Sequence, residues 1–336
     1  MDSCLDLSVI SAARMSESSA RDVFRKIRWA STNGDPVCPR CHASRPYYLT
    51  VRSVFKCREC SLQFSVTSGT IFAHRKLSFR DILVAIVLFS DSAKGISSLQ
   101  LSRNLGVQYK TAFVLAHKLR EAMVLCVDAL RLSGVVEIDG GTFGGHRRAR
   151  NIVANGYVKR RVEQRYENRR VITVMRQRGG RTVPFVGYSE FDSRHTIKET
   201  LAPDTIIHAD QAHAWDHLVR LYDMMRINHK MAFSANDACT NNAESYFSLV
   251  RRMHIGTHHK ISGELMKSYA SEIAWKVDHN KASRGDKIRL ILSMALLAPV
   301  SKRWAKYWHR SLYWPSPKSH GAASFPVLDD VIEMAA

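Results

Sequence analysis

VVEIDGGTFGG, residues 135–145, decides how the chain is read. An apolar run ends in Asp139, and two glycines follow at once. The density of β-branched residues predicts a buried strand. A carboxylate at its tip is costly unless it is paired or binds a metal. An Asp followed by Gly140-Gly141 is also an ordinary turn signal. The stretch alone therefore leaves two readings of Asp139, turn residue or metal ligand. Glu137 shares its face of the strand and either assists it or pairs with an arginine.

The residues downstream supply partners. GVVEID (134–139), RRVITVMRQ (169–177) and TVPFVGYSEF (182–191) predict three strands, with RGGR as the turn between the last two. SRHTIKETL predicts a short helix. DTIIHAD (204–210) predicts a fourth strand, again ending in a carboxylate. AHAWDHLVRLYD predicts a helix and MMRINHK a short strand. CTNNAESYFSLVRRMH (239–254) predicts a helix capped by Thr240 or Asn241. The order β-β-β-α-β-α-β-α implies a mixed sheet with helices on its faces. In such sheets ligands collect at the carboxyl ends of strands, where Asp139 and Asp210 are expected. Glu244 lies in the first turns of its helix, beside an apolar stripe of Ala243, Phe247 and Val250, and can point at the same sheet edge. Two Asp and one Glu form a hard-oxygen donor set suited to Mg²⁺ or Mn²⁺. Two such ions, about 3.5–4 Å apart, stabilise both the entering and the leaving oxygen of a phosphoryl transfer. Asp216 and Asp237 lie close in sequence and compete as acidic positions.

Upstream, CPRC (38–41) and CREC (57–60) are separated by fifteen residues. This is a zinc spacing. It assigns Cys38, Cys41, Cys57 and Cys60 to one structural Zn²⁺, because four sulfurs leave no open coordination position. His42 is read as a bystander, and Cys4, Cys126 and Cys239 as ordinary small residues. LSFRDILVAIVLFSD, apolar all round, predicts a core helix. KGISSLQLSRNLGVQYKTAFVLAHKLREAM then predicts a helix over 97–105, a break at Gly106-Val107, and a helix from about Gln108 to Met123. That is a helix-turn-helix layout. It turns Gln108, Tyr109, Lys110 and Lys118 toward DNA and packs Leu99, Leu101, Leu105, Val107, Phe113 and Leu119 inside. A helical hairpin without DNA contact has the same pattern.

Charge supports a polyanionic partner. Fifty Lys+Arg against thirty Asp+Glu give a formal net charge of +20, and nucleic acid is the commonest partner for such a surface. HRRARNIVANGYVKRRVEQRYENRR (146–170) holds nine Arg/Lys and two Glu. Arg147, Arg148, Lys159, Arg160 and Arg161 are its candidate DNA contacts, against the alternative of a solvated hairpin. HIGTHHKIS (254–262) and the basic-aromatic KRWAKYWHRSLYWPSPK are further candidate contacts. The most apolar charge-free run, ILVAIVLFS (82–90), has nine residues, where a spanning helix needs roughly 20, so no membrane partner is expected. The N-terminal stretch lacks a basic start and a long apolar segment, so no secretory signal is expected. The cysteine usage suits a reducing cytoplasm.

Five stretches occur in order over most of residues 20–285: CPRC…KCRECSLQFSVTSGTIF, KGISSLQLSRNLGVQYKTAF, VEIDGGTFGG, HADQAHAWDHL and TNNAESYFSLVRRMHIGTHHKIS. Through them the chain resembles the DDE transposases of bacterial insertion sequences, in the branch with an N-terminal zinc ribbon. The resemblance implies an α/β fold: a ribonuclease-H-like mixed sheet flanked by helices, preceded by the ribbon and the helix-turn-helix-like segment. The expected parts are a helical lead-in (1–25), the zinc ribbon (26–75), the helical segment (76–130), the catalytic domain (131–285) and a C-terminal extension (286–336). The resemblance implies that Asp139, Asp210 and Glu244 are the acidic triad, holding Mg²⁺ or Mn²⁺. It also points to Arg251, two helical turns after Glu244; many relatives have Lys there, and Arg keeps the charge with a different donor geometry. Gly140 stands where many relatives have a second acidic residue. The implied activity is DNA cleavage at the element's ends followed by strand transfer. The implied partners are double-stranded DNA, both ends and target, and further copies of the chain in a homodimer or larger assembly. The implied location is the bacterial cytoplasm, at the nucleoid. Two other readings fit the motifs: a DNA-binding regulator with an inactive core, and a ribonuclease-H-like nuclease without strand transfer.

Overall fold

The computed structural model describes residues 6–144, 152–153, 156–157, 169–227, 239–304 and 307. The chain forms two compact units, residues 1–129 with 281–336, and residues 130–280.

The first unit opens with α1 (Val9–Arg14) and α2 (Glu17–Arg28). Three short antiparallel strands follow in the order β1-β2-β3: β1 (Tyr47–Leu49), β2 (Val54–Lys56) and β3 (Gln63–Phe64). Strands of this length bury little. Trp29, Tyr48, Phe55 and Phe64 form a small aromatic cluster on them, with ring centroids 5.2–6.4 Å apart. Arg28 ties the end of the ribbon to α2 by donating to the carbonyls of Ser65, Val66 and Ser68; its burial lowers its pKa to about 10. Next come α3 (Phe79–Asp91), α4 (Ser98–Leu105) and α5 (Tyr109–Asp128). As its composition predicts, α3 is buried along most of its length and is the centre of the unit.

The second unit is built on a five-stranded sheet in the order β10-β9-β4-β7-β8. Its strands are β4 (Val135–Phe143), β7 (Arg170–Gln177), β8 (Thr182–Gly187), β9 (Ile206–Asp210) and β10 (Asp223–Ile227). A small hairpin, β5 (Ile152–Val153) with β6 (Gly156–Tyr157), lies between β4 and β7 in the chain. β4, β7 and β8 pair antiparallel, whereas β9 is parallel to both β4 and β10. The unit's helices are α6 (Arg194–Thr200), α7 (Asn241–Arg252) and α8 (Met266–Asp278). One face of the sheet, from Phe143, Ile172 and Val174, packs with Ala243, Tyr246, Phe247 and Val250 of α7 and Ala270, Ile273 and Ala274 of α8. This is the mixed sheet flanked by helices that the strand order implies.

The last helix, α9 (Arg284–Leu297), returns to the first unit and packs on α2, α3 and α5. Ser8, Ser16, Ser78, Ser97 and Ser283 start five of the helices of this unit, each side chain accepting the backbone N–H three residues on. Each such cap is worth about 1 kcal/mol.

Several expectations need correction. The strand expected to end at Asp139 continues to Phe143, so Gly140-Gly141 is not a turn. The strand expected to reach Phe191 ends at Gly187, and Glu190–Ser193 is a separate 3₁₀ turn. Residues His213–Leu218 form a 3₁₀ rather than an α-helix. Leu99, expected to pack, is 48% exposed.

Candidate functional site

The cysteine cluster is the tightest ligand set. The sulfurs of Cys38, Cys41, Cys57 and Cys60 all lie within 4.8 Å of one another, with Cys38–Cys60 at 3.5 Å and Cys41–Cys57 at 3.4 Å. Each CxxC is followed by a residue in the left-handed region, His42 at φ 57° and Ser61 at φ 55°. The chain turns back there, and Cys38 and Cys57 donate their N–H to Ala43 and Leu62. Two matching knuckles thus aim two sulfurs each at one point, as a tetrahedral zinc requires. His42 is exposed and stays outside the set.

The helix-turn-helix-like segment is built as its sequence suggests. Gly106 caps α4 at φ 64°, and Val107 N–H reaches back to the Ser102 carbonyl. Gln108, Tyr109 and Lys110 open α5 and are exposed. The Tyr109 ring leans on Phe113, which in turn meets Trp304 and Tyr307. Lys118 is only partly exposed, and burial lowers its pKa despite Glu121 nearby. Arg147, Arg148, Lys159, Arg160 and Arg161 lie outside the residues whose side chains are described, as does Asp237.

The carboxylates converge where β4 and β9 part. Their parallel ladder ends at Ile138 and Ala209. Asp139 and Asp210 occupy the next positions of neighbouring strands, which run about 4.8 Å apart. Asp139 is therefore mid-strand, yet it sits at the end of the parallel ladder. Its Oδ1 accepts the Gly140 N–H at 2.7 Å. Asp210 Oδ1 accepts both the Trp215 indole N–H at 2.8 Å and the Ala212 N–H at 3.1 Å. Trp215 is fully buried, so this oxygen is fixed. Glu244 comes from the first turn of α7.

The charges of the set feel one another. Burial pushes the Asp139 carboxyl up to about 6; the Gly140 N–H works against this, and the charges of Asp210, Glu244 and Glu190 add to it. Glu190 was not expected in the site. Its own pKa is raised by burial and by Asp210. Among the described residues, the carboxylates are not gathered as tightly as the four sulfurs. Their chemistry fits hard divalent cations such as Mg²⁺ or Mn²⁺. Asp216 belongs elsewhere: it pairs with Arg226 at 2.6 Å and with His213 at 3.2 Å.

The two glycines after Asp139 serve packing on opposite faces. A Cβ on Gly141 would lie 2.8 Å from the Phe247 ring, so its absence lets α7 settle on β4. A Cβ on Gly140 would lie 2.1 Å from Glu190 Oε1.

Glu137 fixes the helix that carries Glu244. It is fully buried and accepts from Asn242 N (2.8 Å), Asn242 Nδ2 (2.8 Å), Ala243 N (3.1 Å) and Arg178 Nε (3.2 Å). The cap of α7 thus comes from β4, while the Thr240 side chain makes no capping bond. Arg178 also reaches His208 Nδ1 and Cys239 Sγ, so Cys239 is part of this polar network. Leaving a buried donor without its acceptor costs about 1–3 kcal/mol. Glu137→Ala is expected to lower stability by about that amount in urea unfolding, because it removes the acceptor of two helix N–H groups, while the part-exposed Arg178 keeps His208 and solvent as partners.

Arg251 is exposed, with its guanidinium 5.8 Å from the centre of the Phe247 ring. Among the described residues, no helix is long and apolar enough to cross a membrane.

Comparison with known proteins agrees with this anatomy. Residues 131–278 match the model of the ISXO2-like transposase domain family. Residues 15–63 match that of the transposase zinc-ribbon domain. The chain is 24% identical over 297 residues to an uncharacterized protein in transposable element ISH50 of Halobacterium salinarum, covering 84% of this chain and 98% of that protein. A zinc ribbon and an ISXO2-like domain in this order place the chain in the family of insertion-sequence transposases.

Proposed function

We propose that the chain binds the ends of an insertion sequence, cuts them and joins them to target DNA, with Asp139, Asp210 and Glu244 as the ligands of catalytic divalent cations. The observation that carries the reading is the convergence of these carboxylates, from β4, β9 and α7, within a domain that matches a transposase family. Bound Mg²⁺ or Mn²⁺ supplies charge stabilisation to the entering and leaving oxygens of phosphoryl transfer. The chain's own residues position the parts. Trp215 and the Ala212 N–H fix one oxygen of Asp210. Glu137 holds α7, and with it Glu244, against β4. Arg251, two turns further along α7, offers a fork of donors to a DNA phosphate.

DNA affinity is assigned to phosphate contacts and so falls steeply with salt. Gln108, Tyr109 and Lys110 at the start of α5 are the proposed groove contacts. Lys118 contributes less because it is partly buried. Arg147, Arg148, Lys159, Arg160 and Arg161 are assigned to phosphates on charge alone. Joining two ends in one event calls for a homodimer or larger assembly on DNA, at the bacterial nucleoid.

The test is a cleavage assay on the DNA that flanks the gene, with and without Mg²⁺. Mg²⁺-dependent cutting with recovery of joined products is expected. Cut ends without joined products would favour a nuclease. Binding without cutting would favour a regulator.

A further inference from the structure

We infer that Glu190 is a fourth carboxylate of the divalent-cation site, reaching it from the opposite face of the sheet to Glu244. This rests on the assignment of Asp139, Asp210 and Glu244 as cation ligands.

The geometry begins with the alternation of β4. Successive residues of a strand point to opposite faces. Gly141 faces Phe247 of α7, so Gly140 faces the other way, and there it meets Glu190. The carboxylate lies so close that Oε1 is 2.1 Å from where a Cβ would stand. Glu190 thus occupies the space a side chain at position 140 would take, beside Asp139. β4 is not paired with β9 beyond Ile138. At that opening, carboxylates from the two faces can approach a common volume.

The turn that carries Glu190 is braced. Asp192 accepts from Tyr188 N (2.7 Å), Ser189 N (3.1 Å) and Ser189 Oγ (2.8 Å). Ser193 Oγ donates to the Glu190 carbonyl at 2.5 Å. Gly187 leaves room for Asp192, whose side chain would be 2.8 Å from a Cβ there. Supporting contacts of this kind are what a ligand held in place requires. Among the described residues, no cationic side chain forms an ion pair with the Glu190 carboxylate. A half-buried carboxylate that feels the charges of Asp139 and Asp210 is costly without a compensating positive charge. A divalent cation supplies it.

The test is Mn²⁺ binding to the zinc-loaded full chain, measured by titration calorimetry and by the loss of the free-Mn²⁺ electron paramagnetic resonance signal. Glu190→Gln keeps the shape and removes the charge. Gly140→Ala keeps the charge and forces the carboxylate aside. Glu199→Gln is the control, because Glu199 is an exposed residue paired with His195. Both Glu190→Gln and Gly140→Ala are expected to weaken Mn²⁺ binding at least about tenfold, with zinc content and circular dichroism unchanged and Glu199→Gln like wild type. Unchanged affinity in Glu190→Gln, together with lost binding in Asp139→Asn, would overturn this inference and leave the three-residue site standing. An equal loss in Glu199→Gln would reduce the effect to net charge and overturn it too. Absence of Mn²⁺ binding in the wild type would overturn both assignments.

Discussion

Asp139→Asn is expected to abolish DNA cutting and to make the metal-free protein more stable at neutral pH. Both effects come from one carboxylate. A cation shared by Asp139 and Asp210 loses a charged ligand, and losses of electrostatic stabilisation of this kind cost at least about 10²–10³ in rate. DNA binding is expected to persist, because it rests on basic residues elsewhere. The stability effect follows from burial and the neighbouring carboxylates, which hold the Asp139 pKa up to about 6. In the unfolded chain it ionises near pH 4. Between these values the native state binds more protons, so the wild type loses stability as pH rises through this window. The penalty is absent below about pH 4 and complete above about pH 6, at about 2–3 kcal/mol. Asparagine has no proton to lose. The mutant's advantage in denaturant unfolding should therefore grow from pH 4 to pH 6 and then level off, and saturating Mg²⁺ should reverse it. Near-normal cleavage by Asp139→Asn would remove this residue from the catalytic set.

Cys57→Ser is expected to lose zinc and unfold the ribbon. Strands of three, three and two residues, with one aromatic cluster, cannot offset the chain entropy of the segment. Structural zinc contributes about 10–16 kcal/mol of apparent binding energy in comparable small domains, so the ion dominates the local balance. Zinc content by atomic emission should fall to background. Amide exchange should lose protection over β1–β3 while the sheet of residues 130–280 keeps its own core. Binding to the element's ends should weaken. Unchanged zinc stoichiometry would defeat the ligand assignment.

Much of this was legible in the sequence. The cysteine spacing carries its own geometry, and Asp210 ends a short strand, Ile206–Asp210, in which His208 alone interrupts the apolar run. A strand end points to Asp139, although its strand runs four residues further; what ends just before it, at Ile138, is the pairing with β9. The glycines read locally as a turn. Their real constraint is tertiary, a ring on one face and a carboxylate on the other, and no local pattern encodes it. Glu137 was open between two roles, and the structure gives it an arginine and a helix cap together. Glu190 is hidden in the sequence because TVPFVGYSEF reads as one strand. Ser189-x-x-Asp192 is a capping-box spacing that starts a helical turn, and it could have ended the strand early and put Glu190 in that first turn. The basic stretch around Arg147–Arg161 carries no apolar periodicity, so its charge speaks for a partner and not for a fold.

The central claim is that acidic side chains far apart in sequence share divalent cations. Its most direct measurement is the anomalous diffraction of manganese in crystals of the full chain grown with MnCl₂. Manganese is expected within roughly 2.5 Å of carboxylate oxygens from both Asp139 and Asp210, with Glu244 completing the shell. Manganese held elsewhere, with these carboxylates left without a common ion, would contradict it.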